Sequence, residues 1–412
     1  MKIIKKEWLI LFLILASHLF FRFSQLGSKS PFTWDQVDFA WKAKDIIVDH
    51  RWPMLGPQAK LNSGIYVGPA YYYLAALTYF FTKLDPIASG VLAGVTSILT
   101  FLVIYLLTKK LFSVPVALLA VFIHTFSFYI INFDRIQWSV NLIAPISLII
   151  FYALNQVING QPKYFFLLAT ALGFSFHLHF TSVFFPLIVF LALPLLPKNK
   201  QTLKYGLVSI PLFLIWLLPN FLAANTQNAT IYLGTYYHGL HLRRVLQVAG
   251  DAFIEFEGIL LGSLKGLLIA KPIKYFLLPL FALIYYFFRP SRKRFNFCYL
   301  AGLWFLVPWL VFSVYSGEIS SYYFSLTRPL VLIALAYLTW RLFCLKGWWL
   351  KASLIGFWLF YCFANVQSFL NLKYEGLDFQ RVKVKEVIRK GEVIEFKEGH
   401  PESYLYYFYT RK

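Results

Sequence analysis

Trp34-Asp35-Gln36-Val37-Asp38 follows directly on the first hydrophobic segment of the chain, Trp8–Phe23. The 412-residue chain is 59% hydrophobic and only 14% charged, so two carboxylates three residues apart beside an apolar run need a reason. Carboxylates are costly to desolvate, and at a membrane boundary they often mark chemistry or ion handling. This stretch therefore predicts a membrane protein with a working surface next to its first span.

The rest of the composition predicts an all-α polytopic membrane protein. Aromatic residues make up 20% of the chain, the mean hydropathy is +0.62, and one span takes roughly 20 residues. We read Trp8–Phe23 as a retained helix, because no clean small-x-small cleavage site follows it. The apolar runs predict about eleven spans, near Trp8–Phe23, Ile87–Leu107, Val114–Phe133, Val140–Val157, Tyr164–Phe180, Thr181–Leu196, Leu203–Leu222, Tyr275–Phe288, Phe295–Tyr315, Ser325–Phe343 and Trp348–Phe369.

The charges predict which side of the membrane each loop faces. The net charge of +21 comes from short basic clusters between apolar runs, as in topology determinants, so no nucleic acid is expected as a partner. The clusters fall at alternate ends of the spans, which places them and the N-terminus in the cytoplasm. Of the acids before the tail, all but Glu7 then lie outside: Asp35, Asp38, Asp45, Asp49, Asp85, Asp134, Asp251, Glu255, Glu257 and Glu318. This asymmetry favours a working outer face over a transport path.

Three outer segments are predicted around a membrane domain of residues 1–369. The first loop, residues 24–86, contains a helical pattern from Trp34 to His50 and an aromatic stretch, Tyr71–Phe81, that suits an interfacial helix. The second loop, residues 223–274, includes an amphipathic piece from Leu240 to Leu261. The third is a small extracytoplasmic tail, residues 370–412, in which the alternation of Glu392–Phe396 predicts one short strand. No predicted outer loop contains a cysteine pair, so no disulfide is expected.

Asp35 and Asp38 share one face if Trp34–His50 is helical. A carboxylate there is able to take a proton from an acceptor hydroxyl or to hold a cation. Asp35 lies near the helix start, where the dipole favours its ionised form. The spacing alone favours the plainer interpretation, two acids that cap and solubilise the helix.

Other candidate residues have a functional and a plain interpretation. Tyr71 and Tyr72 suit a binding wall or simply a membrane interface. Arg135 offers a fork for a phosphate or carboxylate, or pairs locally with Asp134.

His177 and His179 suit hydrogen bonds to a sugar or phosphate, or plain interfacial positions; their spacing disfavours zinc. Glu318 and Tyr323 form a last outer group with Arg328. That arginine either snorkels to lipid phosphates or faces a substrate anion.

The order of these features resembles the family-39 glycosyltransferases of the GT-C superfamily, which include protein mannosyltransferases and aminoarabinose-lipid A transferases. The resemblance rests on a first helix, an outer Asp-containing helix and Gly68-Pro69-Ala70-Tyr71-Tyr72-Tyr73. It extends through Leu106–Phe112, Gly173–His179 and Glu318 to Arg328. Each motif is short, but together they cover roughly Trp8 to Phe343 in order.

The resemblance implies a GT-C-type fold and roles for single residues. Asp35 matches the acid that serves as catalytic base or positions the acceptor. The family often has Asp-Glu here, whereas this chain has Asp35-Gln36, so Asp38 is left as a substrate contact. Tyr71 and Tyr72 match the aromatic stretch beside the lipid-donor cavity.

Arg135 and Arg328 are implied to stabilise charge on the departing phosphate, and His177 and His179 to contact the donor. The family residue that often follows the arginine is acidic, and Asn141 stands in its place, which puts a second catalytic carboxylate in doubt.

The implied activity is an inverting transfer of a sugar from a polyprenyl-phosphate donor to an acceptor hydroxyl. The implied location is the outer face of a bacterial plasma membrane, with the N-terminus cytoplasmic and the tail outside. The acceptor stays open between glycan, lipid and protein. No cofactor is expected, and a divalent metal is the open alternative. A transporter of a lipid-linked sugar or envelope polymer is the competing function.

Overall fold

The computed structural model describes residues 2–58, 63–223, 227–237, 239, 241–262, 292–373 and 375–411. Over these residues the chain is helical and contains no strand, apart from two isolated bridges, Gln58–Tyr66 and Tyr237–Tyr315. The predicted all-α fold class is confirmed. The strand predicted at Glu392–Phe396 is wrong: the segment is irregular, because no described neighbouring strand offers it a ladder partner.

The helices alternate with short turns along most of the chain. In order they are α1 Lys2–Phe23, α2 Leu26–Lys29, α3 Trp34–Ile47, α4 Ala70–Phe81, α5 Ala88–Leu111, α6 Val114–Phe126, α7 Phe128–Asp134, α8 Ile143–Ile158, α9 Tyr164–Ser175, α10 Phe184–Ala192, α11 Lys200–Ala223, α12 Gln227–Tyr236, α13 Leu242–Asp251, α14 Ile254–Leu261, α15 Arg292–Ser313, α16 Arg328–Phe343, α17 Trp348–Leu370, α18 Leu377–Arg389 and α19 Pro401–Thr410. Short 3-10 turns occupy Ser139–Leu142, Phe180–Val183, Leu193–Leu195 and Ser321–Phe324.

Five of the described helical segments are long and apolar enough to cross a membrane, and a bent pair brings the number to at most six. They are Ala88–Leu111, Ser139–Ile158, Lys200–Ala223, Phe295–Ser313 and Trp348–Leu370, with α6 and α7 as the bent pair. The apolar stretches Tyr164–Ser175 and Phe180–Leu195 are shorter. The span predicted at Tyr275–Phe288 lies outside the described residues, so the count of about eleven stays a prediction.

The break between α6 and α7 bends the chain by 70°. Ser127 has an extended backbone there, and the freed N–H of Phe128 donates to Asn365 Oδ1 at 2.7 Å. Because a buried main-chain donor needs a partner, Asn365 of α17 stabilises the break. Helix α7 begins after this bend and ends at Asp134, which places Asp134 and Arg135 beside the first long loop.

The first long loop is built from two helices that pack on each other. Helix α3 is the predicted Trp34–His50 helix and ends at Ile47, and α4 fills the predicted aromatic stretch. On α4, Tyr71, Tyr72, Ala75 and Tyr79 are buried, whereas Leu77, Phe80 and Phe81 are exposed. This two-faced pattern fits a helix that lies against the bundle with its other side on lipid.

The C-terminal tail forms two helices, α18 and α19, rather than a loose appendage. Its Tyr404 is fully buried, donates to Leu84 O at 3.0 Å and contacts the Trp41 ring of α3. Arg381 of the tail pairs with Asp85. The tail therefore completes the apolar core under the first long loop.

Candidate active site

The start of α3 is fixed by a capping box. The Thr33 N–H donates to Gln36 Oε1 at 3.1 Å, and the Gln36 N–H donates in return to the Thr33 side chain. Gln36 Nε2 donates to Gln137 O at 3.0 Å. Gln36, which departs from the family pattern, thus holds α3 against the segment that carries Trp138.

Asp35 lies in the first turn of α3 with one bound and one open oxygen. Its Oδ2 accepts a hydrogen bond from Trp138 Nε1 at 2.7 Å, and no cation pairs with it among the described residues. Its side chain reaches solvent through a concave pocket. The surrounding protein partly desolvates it and raises the pKa of Asp35, while the Trp138 hydrogen bond acts in the opposite direction. A carboxylate in this state is suited to accept a proton.

The pocket in front of Asp35 has a cavity volume of about 130 Å³ and opens to solvent. Its walls come from α3, the first long loop, the turn after α7, the turn after α9 and the 3-10 turn near residue 322. The residues around it are Asp35, Phe39, Pro57, Gln58, Val67, Trp138, Ser139, Val140, Leu178, His179, Phe180 and Tyr322. Ser139 Oγ donates to Leu178 O at 2.6 Å, which brings the Trp138 and His179 segments together.

Asp38, Tyr71 and Tyr72 lie behind this pocket rather than in its lining. The Tyr72 hydroxyl donates to Asp38 Oδ2 at 2.8 Å. Burial raises the pKa of Asp38, and the Tyr72 hydrogen bond partly offsets this effect. Tyr71 is fully buried and packs edge-on against the Phe39 ring at 4.8 Å. These three residues support the wall that Phe39 presents to the pocket.

His179 lines the pocket as a neutral imidazole. Its Nδ1 accepts from the Thr181 N–H at 3.4 Å and lies 3.0 Å from the Thr181 hydroxyl, so the ring proton sits on Nε2. Burial lowers the pKa of His179 to about 3. Tyr323, a predicted site residue, packs on the His179 ring at 5.6 Å and supports it from behind.

His177 holds the first long loop against the bundle. Its Nε2 lies 2.6 Å from Trp216 O, and its Nδ1 accepts from Ala70 N–H at 3.3 Å. Gly68 touches the ring so closely that a Cβ there would lie 2.2 Å from Nδ1. His177 is buried, and desolvation lowers its pKa, so the structure gives it a structural position.

Arg135 is also committed to the main chain. It is buried, and its guanidinium donates to carbonyl oxygens at the end of α1, in the turn after it and at the end of α2: Phe21, Arg22, Ser24, Gln25 and Lys29. These bonds satisfy carbonyls that the end of a helix leaves free. Arg135 does not line the pocket.

Asp134 does not pair with Arg135, so the local Asp134–Arg135 pair offered as an alternative is wrong. Its Oδ2 instead lies 2.8 Å from Arg22 Nη2 and accepts from Ser97 Oγ at 2.6 Å. The sequence interpretation missed Arg22, because it sits inside a helix that reads as an apolar span. We call Arg22 and Asp134, whose carboxylate also accepts the Ser97 hydrogen bond, the buried ion pair.

Glu318, Tyr323 and Arg328, which were predicted as one outer group, lie in different surroundings. Arg328 is buried and forms two bonds to Glu255, at 2.8 and 2.9 Å, and its guanidinium lies over the Phe133 ring. Glu318 is exposed and lies outside the pocket lining. Neighbouring Tyr322 does line the pocket, although only its partner Tyr323 was predicted as a site residue.

Trp138 is the main residue that sequence reasoning missed. Only its nearness to Asp134-Arg135 pointed to it, and an indole that donates to a carboxylate leaves no spacing pattern. The contact of the C-terminal tail with the start of α3 was missed as well. Gly399 (φ +71°) packs so tightly on Trp34, next to Asp35, that a Cβ there would lie 2.2 Å from the Trp34 ring.

The described residues contain no group of three or more His, Cys, Asp or Glu side chains arranged to hold a metal ion. In the pocket, Asp35 and His179 are the side chains of metal-ligand type. The expectation that no metal is required stays a prediction, since a bound substrate is able to complete a coordination sphere.

Comparison with known families and structures was made on sequence and on fold. The family described as dolichyl-phosphate-mannose-protein mannosyltransferase matches residues 67–222, less than half of the chain. No curated protein sequence matches the chain.

Solved structures match over nearly the whole chain at low sequence identity. ArnT from Cupriavidus metallidurans bound to undecaprenyl phosphate is 12% identical, with a TM-score of 0.56, over 97% of this chain and 74% of ArnT. The Archaeoglobus fulgidus oligosaccharyltransferase in complex with Zn and sulfate is 14% identical, with a TM-score of 0.57.

The same archaeal enzyme, AglB, in complex with an inhibitory peptide and a dolichol-phosphate gives a TM-score of 0.53 at 12% identity. The chain covers 58% and 59% of the two oligosaccharyltransferase chains, and they cover 96% and 97% of it. These matches confirm the predicted GT-C-type fold of a multipass membrane protein.

Proposed function

We propose that this protein transfers a sugar from a polyprenyl-phosphate donor to an acceptor hydroxyl. The observation that carries this proposal is the environment of Asp35. Its carboxylate is accessible, faces a pocket and has no cation partner among the described residues. The fold is shared with ArnT in complex with undecaprenyl phosphate and with AglB in complex with a dolichol-phosphate. Both complexes contain a lipid phosphate, which supports a lipid-linked donor here.

In the proposed reaction the open oxygen of Asp35 takes the proton of the acceptor hydroxyl. The acceptor oxygen attacks the anomeric carbon as the bond from that carbon to the phosphate oxygen breaks. The electron pair leaves with the polyprenyl phosphate, which carries the additional negative charge. One base acting on one face suits a single displacement with inversion and no covalent sugar intermediate.

The structure changes which residues enter this proposal. Trp138 fixes the orientation of Asp35 through its 2.7 Å hydrogen bond, and His179 offers a neutral N–H donor beside it. Arg135 and Arg328 have their donors taken by carbonyl oxygens and by Glu255. We therefore leave both arginines outside the chemical step.

The proposal places the pocket on the extracytoplasmic side of a bacterial plasma membrane. The support is the sequence: basic clusters lie at the opposite ends of the apolar runs from the carboxylates. Nucleotide sugars are confined to the cytoplasm, so a pocket on the other side requires a lipid-linked donor.

Mass spectrometry of cell-envelope glycans tests the function in cells. A deletion strain should lose one sugar, which the wild-type gene restores and Asp35→Asn does not. The matched control is Asp49→Asn, which removes a carboxylate that pairs with Lys44 at 2.6 Å in the same loop and should restore the sugar. An unchanged glycan profile in the deletion strain would contradict the proposed function.

A further inference from the structure

A continuous band of aromatic rings runs along the pocket beside Asp35. The Trp138 and Tyr322 ring centroids are 5.2 Å apart, those of Tyr322 and His179 are 5.8 Å apart, and those of His179 and Phe180 are 4.3 Å apart. All four side chains line the pocket. Aromatic faces carry negative charge density, which attracts the weakly positive C–H groups of a saturated ring.

Two polar groups face the pocket next to this band. Asp35 offers an open carboxylate oxygen as an acceptor, and His179 offers Nε2–H as a donor, because Thr181 occupies its Nδ1. An acceptor and a donor beside an apolar face match a molecule that has hydroxyl groups on its rim and C–H groups on its face. A pyranose has this arrangement.

The charge of the pocket argues against an anionic ligand. The lining includes the Asp35 carboxylate and, among the described residues, no lysine or arginine. His179 stays neutral because burial lowers its pKa to about 3. A phosphate in this pocket would lose water and meet a like charge without a compensating cation.

The packing behind the walls fixes the aromatic band. The pocket is small, with a cavity volume of about 130 Å³, and it opens to solvent. Tyr323 stacks on Phe312 and supports His179, so the band is held in place before a ligand arrives.

We propose that this pocket binds an uncharged pyranose at the end of the acceptor, so that a sugar hydroxyl, rather than a phosphate or a protein serine, receives the transferred sugar. The inference deepens the proposed function and rests on it for the role of Asp35. The pyranose lies on Trp138 and Tyr322, with one hydroxyl at Asp35 and another at His179.

Saturation-transfer NMR tests this binding without any transfer reaction. The full-length protein in detergent is mixed with methyl α-D-glucopyranoside, methyl α-D-mannopyranoside or methyl β-D-galactopyranoside, with glucose 1-phosphate, or with a serine-containing peptide. At least one methyl pyranoside should show saturation of its ring C–H protons. Glucose 1-phosphate should bind about tenfold more weakly than that pyranoside, and the peptide should not displace it.

Matched variants separate the pocket from the rest of the surface. Tyr322→Ala should weaken pyranoside binding about fivefold, as expected for loss of one ring contact, whereas Tyr322→Phe should retain it. Trp52→Ala serves as the control, because Trp52 is an aromatic residue of the first long loop, 65% exposed and outside the lining. Asp35→Asn should keep the stacking and hence most of the pyranoside signal.

Any of these results would overturn the inference: no pyranoside binds, Tyr322→Ala binds the pyranoside as the wild type does, glucose 1-phosphate binds as tightly as the pyranoside, or the peptide displaces the pyranoside. An excess of a polyprenyl-phosphate hexose distinguishes the two sources of a sugar. Displacement by it would assign the pocket to the donor and contradict the acceptor role. Because binding is measured without transfer, these results are independent of whether the glycan assay supports the proposed function.

Discussion

Asp35 and Asp134 are two carboxylates near the same loop, and the structure treats them in opposite ways. Asp134 is buried, lies 2.8 Å from Arg22 and accepts a further bond from Ser97. Asp35 is accessible, has one neutral donor, Trp138, and faces a pocket. A charge paired with a buried arginine is committed to the fold, because losing either partner leaves the other buried and unpaired, whereas a charge left open is available for chemistry.

The largest expected effect is the loss of stability when Asp134 is replaced. Asp134→Asn leaves Arg22 buried without its counter-charge, which should lower the free energy of unfolding by about 3–5 kcal/mol. Thermal unfolding of the purified protein, followed by size-exclusion chromatography, measures the loss. Asp49→Asn removes a surface ion pair and should leave the free energy of unfolding almost unchanged. Equal stability of the two variants would remove the structural role given to the buried ion pair.

A smaller effect tests whether the C-terminal tail positions the start of α3, where Asp35 lies. Gly399 and Gly391 both have φ +71°, but a Cβ at Gly391 would meet nothing within 4 Å, whereas at Gly399 it would strike Trp34. Alanine at either position should cost about 1–2 kcal/mol of backbone strain. Gly399→Ala should cost about 1–3 kcal/mol more and slow transfer, because Trp34 adjoins Asp35.

Unfolding and initial transfer rates of both glycine variants measure this difference. If Gly391→Ala and Gly399→Ala lose the same stability and the same activity, the tail does not position the start of α3.

The smallest effect is a dependence on pH. Burial raises the pKa of Asp35 in the folded protein above its unfolded value of about 3.9. The folded state therefore binds this proton more tightly, and the corresponding stability is present below the unfolded pKa and lost as pH rises through the folded pKa. The wild type should lose stability relative to Asp35→Asn over this window. A difference that stays constant from pH 4 to 8 would contradict the assigned environment.

The fold class was accessible from the sequence because apolar runs and helical patterns act locally. The helix predicted from Trp34 does begin at Trp34, where the structure shows a capping box between Thr33 and Gln36. Asp35 could be singled out because charge is scarce in this chain. The number of spans was less accessible, since α9 and α10 are shorter than the apolar runs that suggested them.

Side-chain partners distant in sequence were beyond prediction. Arg135 looked free in the sequence, but its donors meet carbonyls more than 100 residues away. Arg328 finds Glu255 across 73 positions. Trp138 is brought to Asp35 by the bend at Ser127 and the hydrogen bond from Gln36 to Gln137, which are both features of the tertiary fold. Such pairs depend on tertiary packing rather than on local spacing.

We propose above all that Asp35 is the general base and does not stabilise the fold. Its most direct test is the single-turnover transfer rate of purified Asp35→Asn, measured together with its thermal unfolding. We expect the rate to fall by about 10²–10⁴-fold while the unfolding midpoint stays equal to or above that of the wild type. A rate within about threefold of the wild type, in a protein that folds equally well, would contradict the account.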